Sequence, residues 1–121
     1  MTQELASLIE RYVELWNEPD PVVRRKTIET LWAPHGANYT ESKAAIGYAA
    51  LDARVTSAYE SYVGTGQYRF RAGTPAVEHH DAVKVEWEMV NVADDTVASV
   101  GLEFLVLDGG RIRSDHQFIV S

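Results

Sequence analysis

The spacing of apolar residues changes once along this chain, and that change limits the folds open to it. Up to Tyr62 they recur every three to four residues; from Gln67 onward they alternate every second residue. Leu5, Leu8, Ile9, Tyr12, Val13 and Trp16 form one stripe opposite Glu4, Glu10, Arg11 and Glu14, which predicts an amphipathic helix ended by Asn17-Glu18-Pro19. Asp20-Pro21 supplies an N-cap and a first-turn proline for a second helix, with Val23, Ile28, Leu31 and Trp32 as its apolar positions. Pro34-His35-Gly36 marks a turn before a short strand over 37–41. A third helix is expected over 44–62, where Ala50, Leu51, Val55, Ala58, Tyr59 and Tyr62 keep helical spacing up to Gly64.

Short extended runs are expected over 67–72 and 76–80. Val83, Val85, Trp87 and Met89 then alternate with Lys84, Glu86 and Glu88. Ala93-Asp94-Asp95 and Asp108-Gly109-Gly110 read as hairpin turns, so the C-terminal half forms an antiparallel meander. Helices followed by a curved antiparallel sheet give an α+β layer arrangement, with the sheet wrapped around the helices as a cup.

The 121 residues suit one domain spanning 1–121, and 45% hydrophobic with 24% charged residues is the profile of a folded globular chain. Eleven Lys and Arg against eighteen Asp and Glu give a net charge of -7, which argues against nucleic acid and anionic membranes as partners. The absence of cysteine removes disulfides, thiolate nucleophiles and cysteine metal sites. Met-Thr-Gln-Glu-Leu-Ala at the start lacks the basic, apolar pattern of a signal peptide, so a cytoplasmic protein is expected.

Three groups of residues carry a family resemblance. They are Arg11-Tyr12-Val13 with Trp16-Asn17 and Asp20; Leu31-Trp32-Ala33 leading to Ala37-Asn38-Tyr39; and Gly101-Leu102-Glu103-Phe104 followed by Asp108-Gly109-Gly110-Arg111-Ile112. In this order the chain resembles the nuclear transport factor 2-like superfamily, which includes SnoaL-like polyketide cyclases and ketosteroid isomerase. The resemblance implies a cone-shaped fold, a mixed, mainly antiparallel curved sheet around three N-terminal helices, with one pocket between them. Many chemistries use such a pocket, so the resemblance implies a cavity more firmly than a reaction.

Candidate site residues follow from strand facing. If Trp87 faces the cup, Val85 and Met89 do too, and Glu86 and Glu88 point away. Glu103 shares its side with Gly101, Leu105 and Leu107, so one acid stands among apolar neighbours. Turned inward it would have a raised pKa and could donate a proton near neutrality; turned outward it would be solvated while Leu102 and Phe104 fill the core. Both readings stay open. In the last strand Arg113, Asp115, Gln117 and Ile119 share one face, and the register that puts Asp115 and Gln117 inside makes Asp115 a proton carrier. The resemblance to ketosteroid isomerase also implies Tyr12 as a phenolic donor and Glu41 as the carboxylate that moves the proton. Glu41 and Glu103 stand as glutamates where that enzyme uses aspartates, and the extra methylene argues against steroid isomerisation itself. Tyr12 also reads as a ring packed in the core.

His79 and His80 point to opposite strand faces and do not chelate one ion together, so no metal is expected. There is no phosphate loop, serine elbow or basic stripe. The resulting expectation is a cofactor-independent isomerase, cyclase or lyase for a small apolar or aromatic carbonyl compound. Tyr12, Glu41, Glu103 and Asp115 would act on it, and Trp16, Tyr39, Tyr59, Trp87, Met89 and Gln117 would contact it. A non-catalytic ligand-binding protein and an interaction module are the competing expectations, and a homodimer through the outer sheet face, bearing Val90, Val100, Leu102 and Phe104, is compatible with all three.

Overall fold

The computed structural model describes residues 1–121. The first helix, α1 (Gln3–Leu15), is capped by Thr2, whose side chain accepts from the Leu5 N–H, and buries all six residues of the expected stripe. Asp20 caps α2 (Pro21–Leu31) by accepting from the Val22 N–H, with Pro21 opening the helix. Here the buried face differs from the expectation: Val23 is exposed and Arg24 is buried with Ile28 and Leu31. Positions 24, 28 and 31 share a helical stripe and Val23 lies off it. Arg24 is accommodated because its Nη1 donates to the Glu18 carbonyl at 2.7 Å and its guanidinium covers the Tyr59 ring at 4.8 Å.

Strand β1 (Trp32–Tyr39) starts directly at the end of α2, earlier than expected. Pro34-His35-Gly36 is the bulge inside it rather than a turn before it: Trp32 pairs with Ile112 and Ala37 with Ser114, so the intervening residues loop out of register. Gly36 is required there, since a Cβ would lie 2.7 Å from both the Ile112 carbonyl oxygen and the Trp32 ring. The expected single helix over 44–62 is three elements. Ala44–Ile46 is strand β2, a hairpin partner of β1; α3 runs over Tyr48–Ala58; and Tyr59–Val63 continues as a π-turn closed by the Gly64 N–H donating to the Tyr59 carbonyl. Gly47 at φ 86° makes the break before α3.

The remaining strands are β3 (Tyr68–Ala72), β4 (Val77–His79), β5 (Ala82–Asn91), β6 (Val97–Asp108) and β7 (Arg111–Ile119). Together they form a seven-stranded open sheet in the order β2-β1-β7-β6-β5-β3, with β4 also on β5. All pairings are antiparallel except β1 with β7. This is an α+β fold with helices on the concave side of a mixed sheet. Leu8, Tyr12, Leu31, Trp32, Leu51, Val55, Val83, Val85, Leu105 and Ile112 form the centre of the core between the layers.

Two facing expectations are corrected. In β7 the register slips at Arg113, because Val106 pairs with Ser114 and Leu107 with Ile112. Ile112 and Asp115 are therefore both buried while Arg113 is exposed, so one alternation does not run through the strand. Val90, expected on the outer face, is fully buried opposite Arg69 of β3. Phe104, by contrast, is exposed, and its ring meets Phe118 edge to face at 5.6 Å.

Gly101 pairs directly with Trp87, and a Cβ there would lie 2.1 Å from the indole. Gly101→Val is expected to push the indole off its seat. Thermal unfolding should report a loss of about 1–3 kcal/mol, and the tryptophan emission should move to the red; an unchanged spectrum and midpoint would contradict this packing.

Candidate functional site

The arrangement of α1 against β6 and β7 brings the chemistry together. The Tyr12 hydroxyl oxygen lies 2.9 Å from Glu103 Oε1 and 2.6 Å from Asp115 Oδ2. Glu103 and Asp115 come from adjacent strands: Asp115 pairs with Leu105 and Glu103 with Gln117, so the two acids are diagonal neighbours on the concave face. All three side chains are buried to 1% exposure or less. Trp87 Nε1 donates to Glu103 Oε2 at 2.9 Å, and Asn38 Nδ2 donates to Asp115 Oδ2 at 2.9 Å. Asp115 Oδ1 is buried without a partner.

Burial sets the protonation of this cluster. Loss of hydration pushes Glu103 up to about 10, and the neighbouring Asp115 charge adds to the rise. Desolvation also raises Asp115, against the pull of the hydrogen bonds it receives and of the Arg54 charge. Tyr12 is raised well above its ordinary value, first by burial and then by the two acids, so its hydroxyl stays protonated. A phenol has one proton and touches two carboxyl groups. One acid must therefore hold a proton and donate to the Tyr12 oxygen while Tyr12 donates to the other. Two arrangements satisfy this: a protonated Glu103 with an ionised Asp115, or the reverse.

A cavity of about 190 Å³ opens over the cluster. Tyr12 and Glu103 reach it, and its walls are mainly apolar, including Val13, Trp16, Phe70, Trp87 and Met89. Tyr62 joins them from the π-turn, and Ala58, Ser99, Gln117, Ile119 and Arg54 supply the rest of the lining. Arg54 stacks over the Trp16 ring at 5.1 Å, and donates from Nε to Asn38 Oδ1 at 3.2 Å and from Nη2 to Gln117 Oε1 at 3.3 Å.

Of the residues expected at a site, Tyr12, Glu103, Asp115, Trp16, Trp87, Met89 and Gln117 are gathered here. Glu41 lies instead on the exposed turn between β1 and β2, where it lines an outer groove with Tyr39, Lys43 and His116. Tyr39 stacks on His116 at 4.9 Å, and Tyr59 lies under Arg24, so neither lines the cavity. Glu86 and Glu88 face away and bind Thr74 and Arg71. Asn38 and Arg54 were missed. Arg54 does carry a sequence signal, since it stands three residues after Leu51 and four before Ala58 on a buried stripe. Asn38 carries none, because its place beside Asp115 depends on the parallel pairing of β1 with β7.

No group of three or more His, Asp or Glu side chains is placed to hold a metal ion, and no helix is long and apolar enough to cross a membrane. No protein-family model and no curated protein matches the sequence. Solved structures do. A candidate isomerase of the SnoaL-like family from Agrobacterium tumefaciens superposes with a TM-score of 0.87 at 21% identity, over 99% of this chain and 100% of that one. A candidate SnoaL-like polyketide cyclase from Jannaschia matches with a TM-score of 0.72 at 13% identity, over 98% and 89% of the two chains. A protein of ketosteroid isomerase-like fold from Catenulispora acidiphila, solved with trimethylamine, matches with a TM-score of 0.67 at 16% identity, over 98% and 86%. Strand order, helix placement and these superpositions agree: the fold of this chain is that of the nuclear transport factor 2-like superfamily.

Proposed function

We propose that the protein is a cofactor-independent isomerase, cyclase or lyase acting on a small, largely apolar carbonyl compound by general acid–base catalysis. The observation that carries this reading is the Tyr12 hydroxyl set within hydrogen-bond distance of both Glu103 and Asp115, buried at the floor of an apolar cavity. With Asp115 protonated, Glu103 is a carboxylate in a desolvated site and accepts a proton from carbon. With Glu103 protonated, it is an acid that returns the proton or neutralises a developing enolate oxygen. Tyr12 links the two states, because shifting one proton along each of its two hydrogen bonds interconverts them. The mainly apolar walls select the substrate and keep water from competing. Several structural neighbours are candidate isomerases and cyclases, which supports this reaction class.

Proton transfer to carbon can be followed before the natural substrate is known, as exchange of solvent deuterium into the α-position of small cyclic enones and 1,3-diketones. The wild-type protein should catalyse exchange, and Glu103→Gln or Asp115→Asn should slow it by about 10²-fold or more while the folded NMR spectrum is kept. Absence of exchange across the panel, or full activity in both variants, would remove acid–base chemistry and leave a ligand-binding role for the same cavity.

The raised Glu103 also couples folding to pH. Burial and the Asp115 charge raise Glu103 to about 10 from 4.5, so the acid pair keeps its shared proton far above the pH at which the unfolded chain releases it. Between these values unfolding releases that proton, so this contribution to stability is fully present at the acid end and is lost as pH rises, by at most about 1.4 kcal/mol per pH unit. Denaturant unfolding of Glu103→Gln should show a weaker dependence than wild type across the neutral and mildly alkaline range. Equal slopes would mean that Glu103 is not held protonated.

The same reading includes a homodimer through the outer sheet face, where Phe104 and Phe118 stay exposed. Sedimentation should give a dimer for wild type and a monomer for Phe118→Glu. A monomeric wild type would remove the dimer.

A further inference from the structure

Arg54 is the one cation lining the cavity, and it makes no ion pair. Arg69 and Arg71 differ in this respect, since they hold Asp95 and Glu88 on the outer side of the sheet. The acceptors of Arg54 are two neutral amide oxygens, those of Asn38 and Gln117, and its Nη1 has no protein acceptor. Stacking on Trp16 and the two amide contacts fix the plane of the guanidinium, so little further ordering is needed when an anion binds. Its position matters as well. Arg54, Gln117 and Ile119 line both the apolar cavity and the outer groove, so the guanidinium stands at the passage between them.

We infer that Arg54 anchors a carboxylate on the ligand: the cavity takes small apolar molecules whose anionic end sits at the passage and whose apolar part reaches inward over Glu103. A fixed guanidinium with free N–H groups matches a carboxylate by geometry and charge together. The acids on the floor do not repel such a ligand as a pair of full charges, because they hold a proton between them. On the groove side Glu41 and Lys43 offset one another, and the single negative charge of the acid pair lies behind Asn38 without pairing directly with the guanidinium.

The inference rests on the cavity being the ligand site proposed above and requires nothing of proton transfer. Benzoate and benzamide, nearly identical in shape and different in charge, are suitable probes, with binding read from the fluorescence of Trp16 and Trp87. Wild type should bind benzoate at least about tenfold more tightly than benzamide. Arg54→Met should lose that preference while still binding benzamide, which also reports that the variant is folded. A second readout needs no variant: the Arg54 Nε–H resonance of the wild-type protein should shift with benzoate and not with benzamide. Equal affinity for the two probes, binding of neither, a preference that survives in Arg54→Met, or a resonance unmoved by benzoate overturns the anchor. Loss of deuterium exchange chemistry with the benzoate preference intact removes the acid–base reading and leaves Arg54 as a carboxylate anchor. The opposite pattern removes the anchor and leaves the chemistry.

Discussion

The Tyr12 hydroxyl joins α1 to β6 and β7 through contacts spanning 91 and 103 residues of sequence, and it does so between two acids that burial would otherwise make costly. An isolated carboxylate in such a place would be strongly disfavoured; a carboxyl pair sharing one proton through a phenol carries a single negative charge and uses most of its hydrogen-bonding capacity. Trp87 and Asn38 complete that satisfaction from β5 and β1. Four strands and a helix are thus held in mutual register by one polar cluster inside an otherwise apolar core.

The geometry around the cluster follows from that constraint. Gly101 leaves the space the Trp87 indole occupies, and the indole then reaches Glu103. The bulge at Arg113 lets Ile112 fill the core at one end of β7 while Asp115 and Gln117 face the cavity side further along. The π-turn at Tyr59–Val63 brings Tyr62 to the cavity wall. Such irregularities concentrate where a regular element would aim side chains elsewhere, and here they surround the cavity.

Polarity divides the site by depth. At the floor, proton sharing keeps the charge low; at the passage, Arg54 carries a full charge held by neutral amides. Asn38 connects the two, accepting from Arg54 and donating to Asp115, so the field of the guanidinium reaches the acid pair through one oriented amide.

Sequence periodicity alone determined the α1 stripe, the facing of Val83, Val85, Trp87 and Met89, and the meander, because each depends on neighbours within a few residues. It also placed Glu103 among apolar positions, although whether that side faced inward had to remain open. The break at Gly47, the looped-out Pro34-His35-Gly36 and the slip at Arg113 were illegible, since bulges and hairpins are set by what lies across the sheet. Glu41 and Tyr39 show the limit of carrying positions over from a resemblance, because a short hairpin turns that stretch outward. The tertiary structure alone decided that Tyr12 bridges Glu103 and Asp115, and that Asn38 and Arg54 stand behind them. Those contacts join residues far apart in the chain, and their protonation depends on a burial that exists only once helix and sheet have closed on one another.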